Sequence, residues 1–243
     1  MTRLVFLHGV GGGHAAWDEQ VGHFARLGYD CLAWDQPGYG HAPASDPYSF
    51  ESVAAALRGV IGESPVVLVG HSMGGLVAQE AYARYPEKIA ALALTFTSAA
   101  FVGSSDFAAK FVAERLDPLD AGATMKELAA RVMPQMGGSK AVEGAVERAK
   151  AIMAELSPTT YRKAVRMLTT FDRRADLPKI AGPTLLIAGS DDHTAPPAIM
   201  ARMAAKIPNA DYVLLEGCGH LGPMDQPEAF NAALERFLRK NGL

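Results

Sequence analysis

Ser72 stands in the run VVLVGHSMGGLVAQEAYARYP, between glycines at positions 70 and 74, with an apolar stretch before it and an amphipathic one after it. A serine hydroxyl is a poor nucleophile at neutral pH, so chemistry at this position needs an imidazole within hydrogen-bond reach and a carboxylate to hold that imidazole. The G-x-S-x-G spacing describes a tight strand-to-helix turn that lifts the hydroxyl above the sheet edge. Its glycines are required because a β-carbon there would collide with the neighbouring strand or helix. An ordinary capping serine is the plainer alternative, but strand, both glycines and helix all fall in register.

The partners arrive further along the chain. His220 lies in EGCGHLGP, a glycine-flanked loop after the last apolar run, where flexible main chain can bring the ring over Ser72. Asp191 and Asp192 both follow the apolar run TLLIAGS, so the residues alone offer two orienting acids. The three residue types occur along the chain in the order serine, acid, histidine. With two cysteines and no paired histidine spacing, a metal site has no support, and no cofactor is implied.

A second stretch, LVFLHGVGGGHAAW near the N-terminus, admits two chemistries. Gly11, Gly13 and Ala16 satisfy G-x-G-x-x-A, and Asp35 ends the next strand, as a dinucleotide site would ask. Against this, HGV intervenes between the strand end and the first glycine of the pattern. The other chemistry is presentation of backbone N–H groups to a developing oxyanion, which the serine reading needs.

The elements that must position these residues are readable from hydropathy. Apolar runs at Leu4–Leu7, Asp30–Trp34, Val66–Val69, Ile89–Phe96, Thr184–Ala188 and Asp211–Leu215 are mostly continuous, as in strands covered on both faces. Helical patterns lie between them at Trp17–Leu27, Phe50–Ile61, Met73–Tyr85, Ala198–Lys206 and Glu228–Lys240. The alternation predicts an α/β fold, a doubly wound and mostly parallel sheet.

Between Ser98 and Asp172 only helical signals occur. A capping box at Thr124–Glu127 and a Ser157-Pro158 helix start mark two of four helices, expected near Ser104–Leu116, Thr124–Met133, Ser139–Leu156 and Pro158–Phe171. This pattern predicts a helical insertion at 98–175 in a core formed by 1–97 and 176–243.

Of the 243 residues 49% are apolar and 20% charged, enough to bury a substantial core and too apolar for a disordered chain. A net charge of −3 with no Lys/Arg cluster argues against nucleic acid as a partner. No apolar stretch approaches the roughly 18–20 residues of a membrane span, and the opening MTRLVFLHG has neither a long apolar region nor a small-residue cleavage site. A cytoplasmic protein with reduced thiols at Cys31 and Cys218 is expected; the oligomeric state, monomer or homodimer, is left open.

The motifs LHGVGGG, WDQPGYG, GHSMGG, GSDDHTAPP and GCGHLGPMDQPEAF, in this order and over nearly the whole chain, resemble the α/β-hydrolase superfamily, in particular small bacterial capped esterases and 3-oxoadipate enol-lactonase-like enzymes. The resemblance implies a helical cap at 98–175, and a chain that starts at the family's third strand without its N-terminal hairpin. The family spacing G-x-x-D-x-x-x-P fits Gly189, Asp192 and Pro196 and so favours Asp192 as the acid of a Ser72-Asp192-His220 triad, leaving Asp191 as a turn former.

The resemblance also places the backbone N–H groups of Val10 and Met73 in an oxyanion hole, with His8 bracing the loop. Trp17, Phe101 and Met133, with Phe107 and Met136, are candidate pocket residues, and the cap arginines Arg115, Arg131, Arg166, Arg173 and Arg174 are candidate partners of a substrate carboxylate. The implied reaction is hydrolysis of a small carboxylic ester or lactone through an acyl-enzyme. Carbon–carbon bond hydrolysis is the alternative, although Leu221 stands where such enzymes often carry tryptophan. Dehalogenase and epoxide hydrolase chemistries need an aspartate where Ser72 stands, and a lyase or ligand receptor on the same scaffold is a further alternative.

Overall fold

The computed structural model describes residues 2–101 and 105–243, with the side chains of all of them except 105–107. Six strands, β1 (Arg3–Leu7), β2 (Asp30–Trp34), β3 (Val66–His71), β4 (Ile89–Thr95), β5 (Thr184–Gly189) and β6 (Ala210–Leu215), form one sheet in the order β2-β1-β3-β4-β5-β6. Every pairing in it is parallel. The helices are α1 (Asp18–Arg26), α2 (Phe50–Ile61), α3 (Met73–Arg84), α4 (Ser105–Asp120), α5 (Met125–Val132), α6 (Ala145–Ala154), α7 (Pro158–Leu168), α8 (Pro197–Ala204), α9 (Gly222–Asp225) and α10 (Pro227–Lys240). Among the described residues no helix is long and apolar enough to cross a membrane.

Period-two alternation along each strand divides the core between two faces of the sheet. Val5 and Leu7 of β1 pack with Val53, Leu57 and Val77 of α2 and α3 and with Met200 of α8, whereas Leu4 and Phe6 pack with Phe24 of α1 and Phe230 and Leu234 of α10. Helices thus cover both faces, which is why the central strands read as unbroken apolar runs.

The chain passes from β1 outward to β2 and returns to pair β3 on the other side of β1. This reversal leaves a crevice beyond the carboxyl ends of β1 and β3, the place where open α/β sheets bind their ligands. The glycine loop leaves β1 there, and Ser72 leaves β3 there.

Helices α4–α7 lie between β4 and β5. The chain enters and leaves this segment side by side: Phe101 N–H donates to Phe171 O (2.9 Å), Arg173 N–H donates to Ala99 O (2.7 Å), and Ala100 bridges Asp172. Both helix starts expected here form, with Thr124 Oγ accepting from Glu127 N–H (3.2 Å) and Ser157 Oγ from Thr160 N–H (3.4 Å).

The helix expected from Ser139 begins only at Ala145. Gly144 at φ 81° interrupts it, and the preceding backbone donors are used elsewhere: Gly138 N–H goes to Asp225, Lys140 N–H to Gly217 O and Val142 N–H to Asp225 O. This turn is therefore fastened to the histidine loop. Apolar contact adds to the fastening, since Leu221 and Met224 pack with Leu128, Met133 and Met153.

Candidate active site

The turn that carries Ser72 is tight enough to need both glycines. A β-carbon on Gly70 would lie 2.5 Å from Gly74 O, and one on Gly74 would run into the Leu7 carbonyl of β1. Ser72 itself sits at φ 51°, ψ −116°, a conformation that costs free energy and persists only where the surroundings enforce it. Here Ser72 N–H donates to Thr95 O (3.0 Å), while Ser72 O accepts from Gly75 N–H (2.9 Å) and Thr97 Oγ1–H (2.8 Å).

A continuous hydrogen-bonded relay runs from this hydroxyl. His220 Nε2 lies 2.9 Å from Ser72 Oγ, and His220 Nδ1 lies 2.8 Å from Asp192 Oδ2. The other oxygen of Asp192 accepts from Thr194 N–H (2.8 Å) and Ala195 N–H (2.9 Å). Burial opposes ionisation of Asp192, but the His220 imidazole and these two N–H groups outweigh it and hold the carboxyl below its usual range. With a carboxylate facing Nδ1, the imidazole proton resides there and Nε2 is left to accept from Ser72.

Asp191 points away: Ser139 N–H donates to its Oδ2 (2.9 Å) and Ser190 Oγ–H to its Oδ1 (2.9 Å), as suits a turn former.

The glycine loop is held by buried polar contacts. Gln36 N–H donates to His8 Nε2 (3.1 Å), which places the proton of His8 on Nδ1, and Nδ1–H donates to Gly9 O (2.8 Å). Gly12 N–H also donates to Gly9 O (3.0 Å), and Tyr39 O–H donates to Val10 O (2.9 Å). Because C=O and N–H of a trans peptide point in opposite directions, fixing Gly9 O fixes the direction of Val10 N–H.

Neither Val10 N–H nor Met73 N–H meets an acceptor among the described residues. Both residues line one cavity of about 560 Å³ together with Ser72 and His220. Asp35 closes the loop from the other side, its carboxylate accepting from His14 N–H (2.8 Å).

Phe101, Met133 and Met136 line this cavity. Trp17 does not. It closes the short 3-10 turn His14–Trp17, so its ring faces the sheet, 1% exposed, with centroids 5.1 Å from Phe6 and 6.0 Å from Phe230. Phe107 lies outside the described side chains. Arg131 and Arg166 are exposed, Arg173 is paired with Glu80 and Asp176, and Arg174 with Asp172. Of these arginines Arg115 alone lines the cavity.

Two positioning residues escape a reading of the sequence. His71 sits beside Ser72 in GHS, and its Nε2–H donates to the His220 carbonyl at 2.7 Å. Asp225, wholly buried, accepts at Oδ2 from Gly219 N–H (2.9 Å) and Gly138 N–H (2.8 Å), tying the histidine loop to the turn before α6. Burial pushes its carboxyl above the usual range. The signals available were the histidine adjoining the elbow and a carboxylate five residues beyond His220.

Burial holds both loop-bracing imidazoles neutral, His8 down to about 4 and His71 down to about 3. Unfolded, each would take up a proton near pH 6.5. Between about pH 6.5 and pH 4 the unfolded chain therefore binds more protons than the fold, and stability falls as pH falls, by up to about 1.4 kcal/mol per pH unit for each imidazole. Urea unfolding between about pH 7 and pH 5 is expected to show a falling midpoint, and an unchanged midpoint would contradict the neutral buried rings.

With fold and site in view, the class is clear. The chain belongs to the alpha/beta hydrolase family, whose profile matches residues 4–233, and is an enzyme of that class. It is 29% identical to the pimeloyl-[acyl-carrier protein] methyl ester esterase of Aromatoleum aromaticum, over 97% of this chain and 98% of that one. Among solved structures it is similar to a thermophilic esterase from Thermogutta terrifontis, with a TM-score of 0.88 and 25% identity over 100% of this chain and 91% of that one. It is likewise similar to the enol-lactonase from Burkholderia xenovorans LB400, with a TM-score of 0.85 and 25% identity over 98% and 91% of the two chains.

Proposed function

We infer that this enzyme hydrolyses a small carboxylic ester or lactone with Ser72 as nucleophile, His220 as general base and then acid, and Asp192 as the group that orients and stabilises the imidazole. The observation that carries this is the unbroken chain Asp192–His220–Ser72, at 2.8 and 2.9 Å, opening onto a cavity lined by Val10 and Met73, whose N–H groups are unengaged. The names of its relatives, an esterase of an acyl-carrier-protein methyl ester and an enol-lactonase, support the same bond type.

Ser72 Oγ attacks the carbonyl carbon as its proton passes to His220 Nε2, and the carbonyl π pair moves onto oxygen. Val10 N–H and Met73 N–H receive that oxyanion, each donor contributing about 3–4 kcal/mol to the transition state. The oxyanion reforms the carbonyl, the alkoxide leaves with the proton of His220, and an acyl-serine remains. Water, deprotonated by the same Nε2, releases the acid by the reverse sequence. Residues 98–175 act as a cap that roofs the cavity over a core of 1–97 and 176–243, and the enzyme works in the cytoplasm on a freely diffusing small molecule.

The test is turnover of p-nitrophenyl esters, small lactones and a vinylogous diketone acid by wild type and Ser72→Ala, with fluorophosphonate labelling alongside. Ester or lactone turnover that disappears with Ser72 is expected. Cleavage of the diketone acid alone would move the enzyme to carbon–carbon hydrolysis. Absence of labelling in wild type would overturn the nucleophile.

A further inference from the structure

Two permanently cationic side chains among the described residues line the cavity, Lys110 and Arg115, both on α4. They differ in what they meet. Lys110 is exposed and faces Glu114 at 3.9 Å. Arg115 is half-buried, and no carboxylate pairs with it among the described residues; its Nη1 donates to Phe111 O (3.3 Å) and its guanidinium carbon stands 3.7 Å above the Phe111 ring. Nη1 donates to a carbonyl of its own helix, and the ring beneath stacks on the guanidinium plane, so these contacts hold the group without neutralising it. Burial holds its pKa below the usual arginine value, against the opposing pull of Tyr161 and of the nearby Glu114 carboxylate.

Tyr161 of α7 is 1% exposed and lines the same cavity. Burial pushes its phenol up to about 12, so it stays a neutral O–H donor, and its hydroxyl has no hydrogen-bond partner among the described residues. Glu114, which also lines the cavity, faces Lys110, and the wall on this side includes the apolar Phe101, Val132 and Leu168. An unpaired guanidinium and an unengaged phenol among these apolar side chains are a poor match for a neutral substrate and a good match for a carboxylate, which takes a planar fork of N–H donors and one O–H.

We propose that Arg115 and Tyr161 form an anion subsite on the cap side of the cavity, and that the substrate is an acid-bearing ester or lactone: its carboxylate lies at Arg115 while its ester carbonyl lies at Ser72. This deepens, and rests on, the serine-hydrolase reading. The apolar wall between them suits a short methylene chain.

The experiment measures binding apart from turnover. Monomethyl succinate, glutarate and adipate, and the methyl alkanoates in which a methyl group replaces the carboxylate, are titrated calorimetrically into Ser72→Ala protein with and without Arg115→Gln. Half-esters of the fitting length are expected to bind roughly 10-fold to 100-fold more tightly than their neutral counterparts, a preference that Arg115→Gln removes and added sodium chloride weakens. Arg115→Lys, which keeps the charge and loses the fork, should retain part of it. Melting curves accompany each variant, and the salt dependence in Arg115-containing protein carries the test if Arg115→Gln is misfolded.

Equal affinity for acidic and neutral esters, or an acid preference untouched by both salt and substitution, overturns the subsite. Displacement of the half-ester by inorganic phosphate more readily than by acetate overturns the carboxylate assignment in favour of a phosphate. Tight half-ester binding without hydrolysis by wild type overturns the esterase reading and leaves the subsite standing.

Discussion

Ser72→Ala and His220→Ala are each expected to lose roughly 10⁶-fold in kcat on the best ester of the panel, and the double variant to lose no more than either single one. Non-additivity is the signature of groups that act as one unit. Ser72 Oγ without an imidazole at 2.9 Å is an ordinary alcohol, and the imidazole without the hydroxyl has no nucleophile to deprotonate. What remains should be a rate still above uncatalysed hydrolysis, supplied by the cavity and the N–H groups of Val10 and Met73, which both substitutions leave in place. Single-turnover kinetics check this. Multiplying losses, or a His220→Ala enzyme within tenfold of wild type, would mean that the proton goes elsewhere.

These two residues are legible in the chain because each sits in a local signal. The elbow is five residues with steric requirements that the fold then displays, down to the clash of a Gly74 β-carbon with Leu7. The strands and five of the helices outside 98–175 follow from apolar runs, and their boundaries are found within one or two residues because turns and prolines end them, whereas the four-residue α9 is too short to show a period.

What stays hidden is whatever depends on which distant segments meet. The strand order places the glycine loop next to the elbow, and no local pattern states that order. Trp17 is a large aromatic beside the glycine loop, but which way its ring faces is decided by the packing of Phe6 and Phe230, 11 and 213 positions away. Asp225 carries no local signal of its own, and its role rests on Gly138, 87 positions earlier, which donates to it.

The same contacts explain why the histidine loop can be both glycine-rich and well placed. Gly219 must be glycine because a β-carbon there would meet the Met136 carbonyl and the Gly138 amide. The close approach lets Leu221 N–H reach Met136 O (3.3 Å) and Lys140 N–H reach Gly217 O (2.9 Å). The backbone carrying His220 is thus tied through Asp225 to the turn before α6, and held from the sheet side by His71. The placement of the His220 backbone draws on contacts from the segment between β4 and β5 as well as from the sheet.

Asp192→Asn carries the second large effect, and its sign follows from the backbone. Thr194 N–H and Ala195 N–H both donate to Asp192 Oδ1, so an asparagine must place its amide oxygen there to keep two bonds satisfied. Its NH₂ then occupies the Oδ2 position, 2.8 Å from His220 Nδ1. An N–H donor at that position turns Nδ1 into the acceptor and moves the imidazole proton to Nε2, facing Ser72. The base is then in the wrong tautomer to take the serine proton, although no heavy atom has moved. A loss of about 10⁴-fold in kcat is expected, with KM and melting temperature close to wild type. Asp191→Asn is the control, since its carboxylate bonds Ser139 and Ser190 and does not touch the imidazole; it should retain kcat within a few-fold. A large loss at Asp191 with little at Asp192 would exchange the roles of the two acids, and an unfolded Asp192→Asn would be separated from a tautomer effect by its melting curve.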